Sequence, residues 1–237
     1  MTVLKQTSRG VLLEKNYAEA WPKLPGGIQH TVKAKIDLSR LRGYTGSGVW
    51  DLCRSYESGD FNVIHQHWVN FLPKPGSVVL DIGAGSGRDA VALSRLGFKV
   101  FAVEPSPDML AAAKTIHPSA DVVWMEDSLP SLPSVKLLCR RFDLILLSAV
   151  WMHLNKNERR EAMLTLHQLA GHKGVVIITI RHPADKARRM FSVSPQETKT
   201  LAFESGFLQI ASAQYQDPLE RSGRSAISWS VHVLRRR

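Results

Sequence analysis

A glycine-rich turn lies between a short apolar run and a helix-like segment in the first half of the chain. The run Val78–Ile82 leads into Gly83, Gly85 and Gly87, which alternate with small residues, and Glu104 ends the next apolar run. This layout is typical of a buried strand that passes a nucleotide-like ligand to the N-terminus of a helix. The glycines would let the backbone approach the ligand, and we expect Glu104 to accept hydrogen bonds from a ribose.

The spacing of the turn distinguishes between ligand classes. In a dinucleotide fingerprint the third glycine follows the second by three residues, whereas here Gly87 follows Gly85 by two. Asp81 precedes the first glycine by two residues, and its carboxylate would repel a pyrophosphate lying over the loop. Asp81 suits a ligand with an ammonium group and no phosphate, and S-adenosylmethionine has both properties.

These residues together resemble motif I of the class I S-adenosylmethionine-dependent methyltransferases. Glu104, in the run Val103–Pro105, resembles the acidic residue after the second strand of that family. The resemblance extends from about Phe61 to the C-terminus and is nearest to the bacterial small-molecule branch, with its tellurite-resistance and quinone or thiol methyltransferases. It implies a Rossmann-like fold and S-adenosyl-L-methionine as the cofactor.

The order of apolar runs predicts an α/β fold with a doubly wound seven-stranded sheet. Five parallel strands are expected to precede a C-terminal antiparallel hairpin formed by Leu208–Gln214 and Ser228–Leu234. The predicted parallel strands are Ser77–Ile82, Lys99–Val103, Asp121–Met125, Asp143–Ser148 and Val175–Ile180.

Capping residues in the sequence predict where the helices between these strands begin and end. Ser106 with Pro107 is predicted to begin one helix, and Asn157–Ala170 is predicted to form another that ends at Gly171. The segment from Ser194 to Glu197 reads as a capping box, opening a helix that closes at Gly206.

The chain divides into an N-terminal extension, residues 1–60, and a cofactor-binding domain, residues 61–237. The extension is predicted to be partly flexible, since residues 1–43 hold eight Lys and Arg against three acids and show weak periodicity. The resemblance implies a lid over the cofactor and acceptor; a poorly ordered basic tail through about residue 35 is the alternative. Asp60–Leu72 reads as a helix with Ile64, Trp68 and Phe71 at core spacing.

The resemblance also implies which residues hold the cofactor. Asp81 and the glycine loop would bind its methionine end, Glu104 its ribose, and Asp127 (or Glu126) the adenine amino group. Asp89 is better explained as a carboxylate at a helix N-terminus, whereas Arg88 would contact the cofactor carboxylate or point to solvent. The predicted cofactor-binding residues are Asp81, Gly83, Ala84, Gly85, Gly87, Arg88, Glu104, Pro105, Ser106, Met109, Asp127, Ser128, Leu129, Ser148, Ala149 and Val150.

His153 is the candidate catalytic base, because an imidazole can take a proton from an O–H or N–H acceptor near neutral pH. A packing or hydrogen-bonding role is the alternative, and methyl transfer needs no base when the acceptor is already nucleophilic. Candidate acceptor-pocket residues are Tyr44, Trp151, His153 and Arg181. Arg188 and Arg189 read as surface arginines on a connecting segment.

Composition narrows the function without naming the acceptor. The net charge is +10, but the basic residues are scattered and no aromatic residues interleave with them, so a small-molecule acceptor is favoured over nucleic acid. A positive field would also serve an anionic acceptor. The two cysteines lie apart, which predicts reduced thiols in a cytoplasmic protein, and neither a metal site nor a membrane segment is expected.

We therefore predict an enzyme that transfers the methyl group of S-adenosylmethionine to a small molecule by in-line displacement. S-adenosylhomocysteine would be released. The alternatives are a methyltransferase directed at RNA or protein, and an S-adenosylmethionine-binding protein with other chemistry, such as internal cyclisation.

Overall fold

The computed structural model describes residue 41, residues 43–219 and residues 226–237. All of them belong to one compact unit that spans residues 32–237. The predictions of a basic tail and of flexibility before residue 41 lie outside the described residues. No helix in the described ranges is long and apolar enough to cross a membrane.

Seven strands form one sheet in the order β3-β2-β1-β4-β5-β7-β6, which confirms the predicted fold. The first five strands pair in parallel, and β7 lies antiparallel between β5 and the edge strand β6. The strands are β1 Val78–Ile82, β2 Lys99–Val103, β3 Val122–Met125, β4 Phe142–Ser148, β5 Ala170–His182, β6 Phe207–Gln216 and β7 Ser228–Arg236.

Helices connect the strands and cover both faces of the sheet. Ser106 caps α4 and Ser194 caps α7, as predicted, each accepting a hydrogen bond from a backbone N–H of the first turn. The helices are α1 Val49–Glu57, α2 Phe61–His65, α3 Arg88–Arg95, α4 Pro107–Ile116, α5 Pro133–Lys136, α6 Lys156–Leu169 and α7 Pro195–Glu204; short 3₁₀ turns are Val69–Phe71, Trp151–His153 and Lys186–Arg188.

The single helix predicted over Asp60–Leu72 is wrong. Asp60 caps α2, which ends at His65. Trp68 then leaves the helical conformation with φ −140°, and its ring packs against Phe61 and His65 at centroid distances of 5.8 and 4.5 Å. Burying the indole against these two rings outweighs continuing the helix, and a 3₁₀ turn follows instead.

Two predicted helix boundaries also differ. Helix α6 ends at Leu169 rather than at Gly171, because Ala170 is already extended and pairs with Phe142 of β4. At Ser194 only half of the capping box forms: the serine accepts from the Glu197 N–H, but the Glu197 carboxylate lies 2.8 Å from the buried Arg159 guanidinium of α6. The Glu197 carboxylate therefore pairs with Arg159, which is distant in sequence, instead of capping its own helix.

One face of the sheet carries the apolar core that supports the cavity described below. Strand residues alternate between faces, so every second residue of β1, β4, β5 and β7 points to the same side as α2 and α3. The buried residues of this cluster are Phe61, Trp68, Val79, Ala90, Leu93, Phe98, Val100, Ala102, Leu144, Leu146, Val175, Ile177, Val231 and Val233.

Gly87 and Gly85 provide a matched pair of substitutions in the turn between β1 and α3. Both have positive φ, +91° and +58°, but a Cβ at Gly87 would lie 2.6 Å from the Trp124 ring, whereas at Gly85 the nearest atom is 3.6 Å away. We expect Gly85→Ala to cost about 1–2 kcal/mol of unfolding free energy from backbone strain alone. Gly87→Ala should cost roughly 1–3 kcal/mol more from overpacking. Urea unfolding measures both, and equal losses would contradict this packing role of Gly87.

Candidate active site

A cavity of about 550 Å³ opens at the carboxyl ends of the strands. Strand alternation places six polar or aromatic side chains along its floor, directly beyond the apolar core. In the order of the strands across the sheet they are Asp81, Ser148, Thr179, Arg181, Trp229 and Tyr215. Residues from the loop before α1, from α1 and from α2 line the opposite side, including Tyr44, Tyr56 and His65.

Glu104 connects the glycine turn to the beginning of α4. Its two carboxylate oxygens accept hydrogen bonds from the backbone N–H groups of Gly85 and Ser106, both at 2.9 Å. Burial raises the pKa of Glu104 to about 7, although both N–H groups act to lower it. The side chain lines the cavity, so its remaining lone pairs can accept from ligand hydroxyls.

Asp81 presents a carboxylate with one unbonded oxygen to the same cavity. It is 1% exposed, and its Oδ2 has no hydrogen-bond partner among the described residues. Burial first, and the neighbouring Asp89 second, raise the pKa of Asp81 well above its ordinary value. A ligand ammonium group at this point would satisfy Oδ2 and favour the ionised carboxylate, so the donor set fits the methionine end of S-adenosylmethionine.

The glycine turn forms a wall of backbone between these two carboxylates. Gly83 has φ +73°, and a Cβ there would lie 2.4 Å from Cγ2 of Val150, which also lines the cavity. Gly83, Ala84 and Gly85 line the cavity, whereas Gly87 packs against Trp124 and is buried.

Arg88 and Asp89 form an ion pair that joins α3 to the helices covering the site. Arg88 Nε lies 2.8 Å from Asp89 Oδ1, and its Nη1 donates to the Tyr56 carbonyl at 3.1 Å. His65 Nε2 lies 2.9 Å from the other Asp89 oxygen. Burial alone would raise the pKa of Asp89, but His65 and Arg88 lower it far below its usual range. Both residues line the cavity, and contact of Arg88 with the cofactor stays a prediction.

Only part of the predicted adenine slot faces the cavity. Pro105, Ser128 and Leu129 line it. The Asp127 carboxylate is buried and accepts from the backbone N–H groups of Ser128 and Val135, at 2.8 and 3.0 Å. Ser106 is buried in the cap of α4, and Met109 is buried against Cys53. Asp127, Ser106 and Met109 do not line the cavity. Their predicted adenine contacts remain predictions, while Glu126, the alternative to Asp127, is exposed.

Three of the four predicted acceptor-pocket residues line the cavity, and one does not. Tyr44, His153 and Arg181 line the cavity, but Trp151 is 0% exposed and does not. Tyr44 Oη lies 3.3 Å from His153 Nε2, and a ring nitrogen of His153 also meets the Arg188 carbonyl. Burial, with the Arg188 cation nearby, lowers the pKa of His153 to about 4, so this imidazole is neutral at neutral pH.

Sequence reasoning missed several cavity residues, among them Tyr56, Arg188, Tyr215 and Trp229. The Arg188 guanidinium lies beside both the Tyr44 and Tyr56 hydroxyls and interacts with them electrostatically. Trp229 is the register partner of both Arg181 and Tyr215. The register of the hairpin, with strand alternation, could have placed Trp229 and Tyr215 beside Arg181; no local signal identified Arg188.

Comparison with known proteins identifies the domain. Residues 79–174 match the family described as Methyltransferase domain. Two relatives are each named uncharacterized methyltransferase. The one from Alkaliphilus oremlandii is 31% identical over 105 residues, which are 44% of this chain and 46% of that protein. The one from Bacillus licheniformis is 30% identical over 142 residues, which are 59% of this chain and 61% of that protein. The matches thus span about half of these relatives' own length.

Solved structures share the fold at low identity. A TehB-like SAM-dependent methyltransferase from Corynebacterium glutamicum superposes with a TM-score of 0.60 at 18% identity, covering 80% of this chain and 98% of that one. A phosphoethanolamine N-methyltransferase from Haemonchus contortus gives a TM-score of 0.66 at 17% identity, covering 86% and 60%. Residues 79–174 therefore match a methyltransferase domain, and the chain shares its fold with solved S-adenosylmethionine-dependent methyltransferases.

Proposed function

We propose that the protein binds S-adenosyl-L-methionine and catalyses transfer of its methyl group to a small-molecule acceptor. The observation that carries this proposal is the Glu104 carboxylate, held by Gly85 and Ser106 at the edge of the cavity. A carboxylate fixed at the end of the second strand is suited to accept from two ribose hydroxyls.

The other cavity residues divide between the two ends of such a ligand. Asp81 would hold the amino group, and the backbone of Gly83–Gly85 would lie against the methionine end. Ser148, Ala149 and Val150 would lie beneath the sulfur, and Pro105, Ser128 and Leu129 beside the adenine. When bound, the sulfonium supplies a strongly activated methyl group, so holding the acceptor in line with it can provide most of the rate enhancement.

We assign to His153 the role of taking a proton from the acceptor. The imidazole is neutral, lines the cavity and hydrogen-bonds with the Tyr44 hydroxyl. Burial keeps the pKa of Tyr44 above its ordinary value, so Tyr44 remains a protonated hydroxyl that can position His153 or the acceptor. A base with a low pKa suits an acceptor that is already nucleophilic or readily deprotonated.

The walls of the cavity favour a small acceptor. Tyr44, Tyr56 and Ile64 line the side opposite the sheet, so the site is a walled cleft rather than an open groove. The neighbour from Haemonchus contortus was solved with phosphomonomethylethanolamine and S-adenosylhomocysteine, and it therefore holds a small acceptor.

The net charge of +10 is the observation that favours the second candidate, an RNA-directed enzyme. We also propose a cytoplasmic location, since Cys53 and Cys139 are both free thiols.

Binding of S-adenosylhomocysteine should depend on pH through Glu104. Because the ribose hydroxyls donate to the ionised carboxylate, a free-state pKa of about 7 means that binding must release a proton at lower pH. We expect the dissociation constant to be about tenfold larger, and binding therefore weaker, near pH 6 than near pH 8. Calorimetry in buffers of different ionisation enthalpy measures both the affinity and the proton release.

Glu104→Gln should weaken binding at pH 8 and reduce its pH dependence. Glu161→Gln is the matched control, because Glu161 is an exposed acid on α6 that does not line the cavity. Equal affinity in Glu104→Gln and Glu161→Gln would contradict the ribose assignment. An unchanged pH dependence in Glu104→Gln would contradict the titration assigned to this carboxylate.

The neutral state of His153 can be tested without knowing the acceptor. Since burial and Arg188 lower its pKa to about 4, the imidazole should stay neutral as pH falls through the range in which ordinary histidines titrate. Two-dimensional NMR of the imidazole nitrogens, with the His153 signals assigned by their loss in His153→Gln, measures this. A midpoint near 6.5 would show that the ring is solvated rather than buried against Arg188 and Tyr44.

A further inference from the structure

The part of the cavity farthest from Glu104 contains a group of hydrogen-bond donors that the cofactor residues do not explain. Arg181, Trp229 and Tyr215 are register neighbours on β5, β7 and β6, and all three line the cavity. With strands about 4.8 Å apart, this row lies roughly 10–19 Å across the sheet from Asp81 on β1. The site is therefore longer than its methionine-binding end requires.

Two guanidinium groups share one carboxylate at this end. Arg181 Nη1 lies 3.9 Å and Arg188 Nε 3.8 Å from Asp185 Oδ2, so neither contact is a hydrogen bond. Glu158 and Asp217 also line the cavity; each accepts a backbone N–H, from Asn155 and Leu219 respectively, and keeps its negative charge. Asp185 is thus shared between the two guanidinium groups without a direct hydrogen bond to either.

Trp229 adds a donor that lacks an acceptor. Its indole Nε1 is buried and has no hydrogen-bond partner among the described residues. An indole N–H and a guanidinium can donate but cannot accept. An unsatisfied buried donor is costly, so a ligand oxygen that accepts from it would remove that cost. Tyr215 supplies flat apolar surface beside Trp229, whereas Tyr56 lies against Gly85 in the cofactor half.

We propose that Arg188, Arg181 and Trp229 form an oxyanion subsite that selects an acceptor with an apolar body and a carboxylate or phosphate group. Arg188 is the principal contact, because it lines the cavity beside the Tyr44 and Tyr56 hydroxyls and 37% of its side chain is exposed. Binding the anion here places the rest of the acceptor near His153. The inference rests on the proposed function, since it assigns the substrate class of the same site.

The subsite can be tested with simple probes on protein saturated with S-adenosylhomocysteine. Phenylacetate presents a carboxylate, phenyl phosphate a phosphate, and phenylacetamide is the neutral analogue of the first. We expect one or both anions to bind at least about tenfold more tightly than the amide, because charge-assisted hydrogen bonds to arginine are the stronger ones. The preferred anion identifies the acceptor group. Calorimetry gives the affinities, and quenching of tryptophan fluorescence reports an occupant beside Trp229.

Matched variants assign the effect to the subsite. Arg188→Gln should lose about tenfold or more in anion affinity, while Lys186→Gln, which removes the same charge from an exposed position on the same turn, should lose little. Trp229→Phe keeps the ring and removes the N–H, and should weaken anion binding severalfold. Preserved affinity for S-adenosylhomocysteine shows that each variant is folded.

The outcomes separate this inference from the proposed function. Equal binding of anion and amide, absence of probe binding, or equal losses in Arg188→Gln and Lys186→Gln would each overturn the oxyanion subsite. Failure of the unaltered protein to bind S-adenosylhomocysteine would contradict the proposed function instead, and the probe titrations would then be read on the protein alone.

Discussion

The site depends on one carboxylate that binds two backbone segments at once. Glu104 ends β2 and accepts from Gly85 in the turn after β1 and from Ser106 at the beginning of α4. These contacts hold the turn and the helix start in fixed positions around the cavity. Because the carboxylate is buried with its pKa raised to about 7, forming this arrangement carries a desolvation cost that ligand hydroxyls can offset. The same residue thus determines the local shape and prepares a polar binding point.

Strand alternation then extends this arrangement across the sheet. The face that buries Val79, Leu146 and Ile177 in the core carries polar groups one step further toward the carboxyl ends. Asp81 and Ser148 lie at the cofactor half, and Arg181 and Trp229 at the other. One geometric rule places both halves in one cavity, and the antiparallel insertion of β7 brings Trp229 next to Arg181.

The features that were predictable from the sequence depend on short-range patterns. The strand–turn–helix around Gly83 and the Ser106 cap involve neighbours in the chain, so their spacing identifies them. Long-range packing decided the rest. The helix predicted from Asp60 is broken where Trp68 packs against Phe61, and Arg188, which read as a surface residue, reaches two tyrosines more than 130 positions away. No local spacing reports such contacts.

The most direct test of the account is a crystal structure of the protein with S-adenosylhomocysteine. We predict that both ribose hydroxyls lie within hydrogen-bond distance of the Glu104 carboxylate, that the amino group meets Asp81, and that the sulfur faces Ala149 and His153. Arg181, Arg188 and Trp229 would then line the space beyond the sulfur. A nucleoside bound elsewhere, or one whose ribose makes no contact with Glu104, would contradict the central claim.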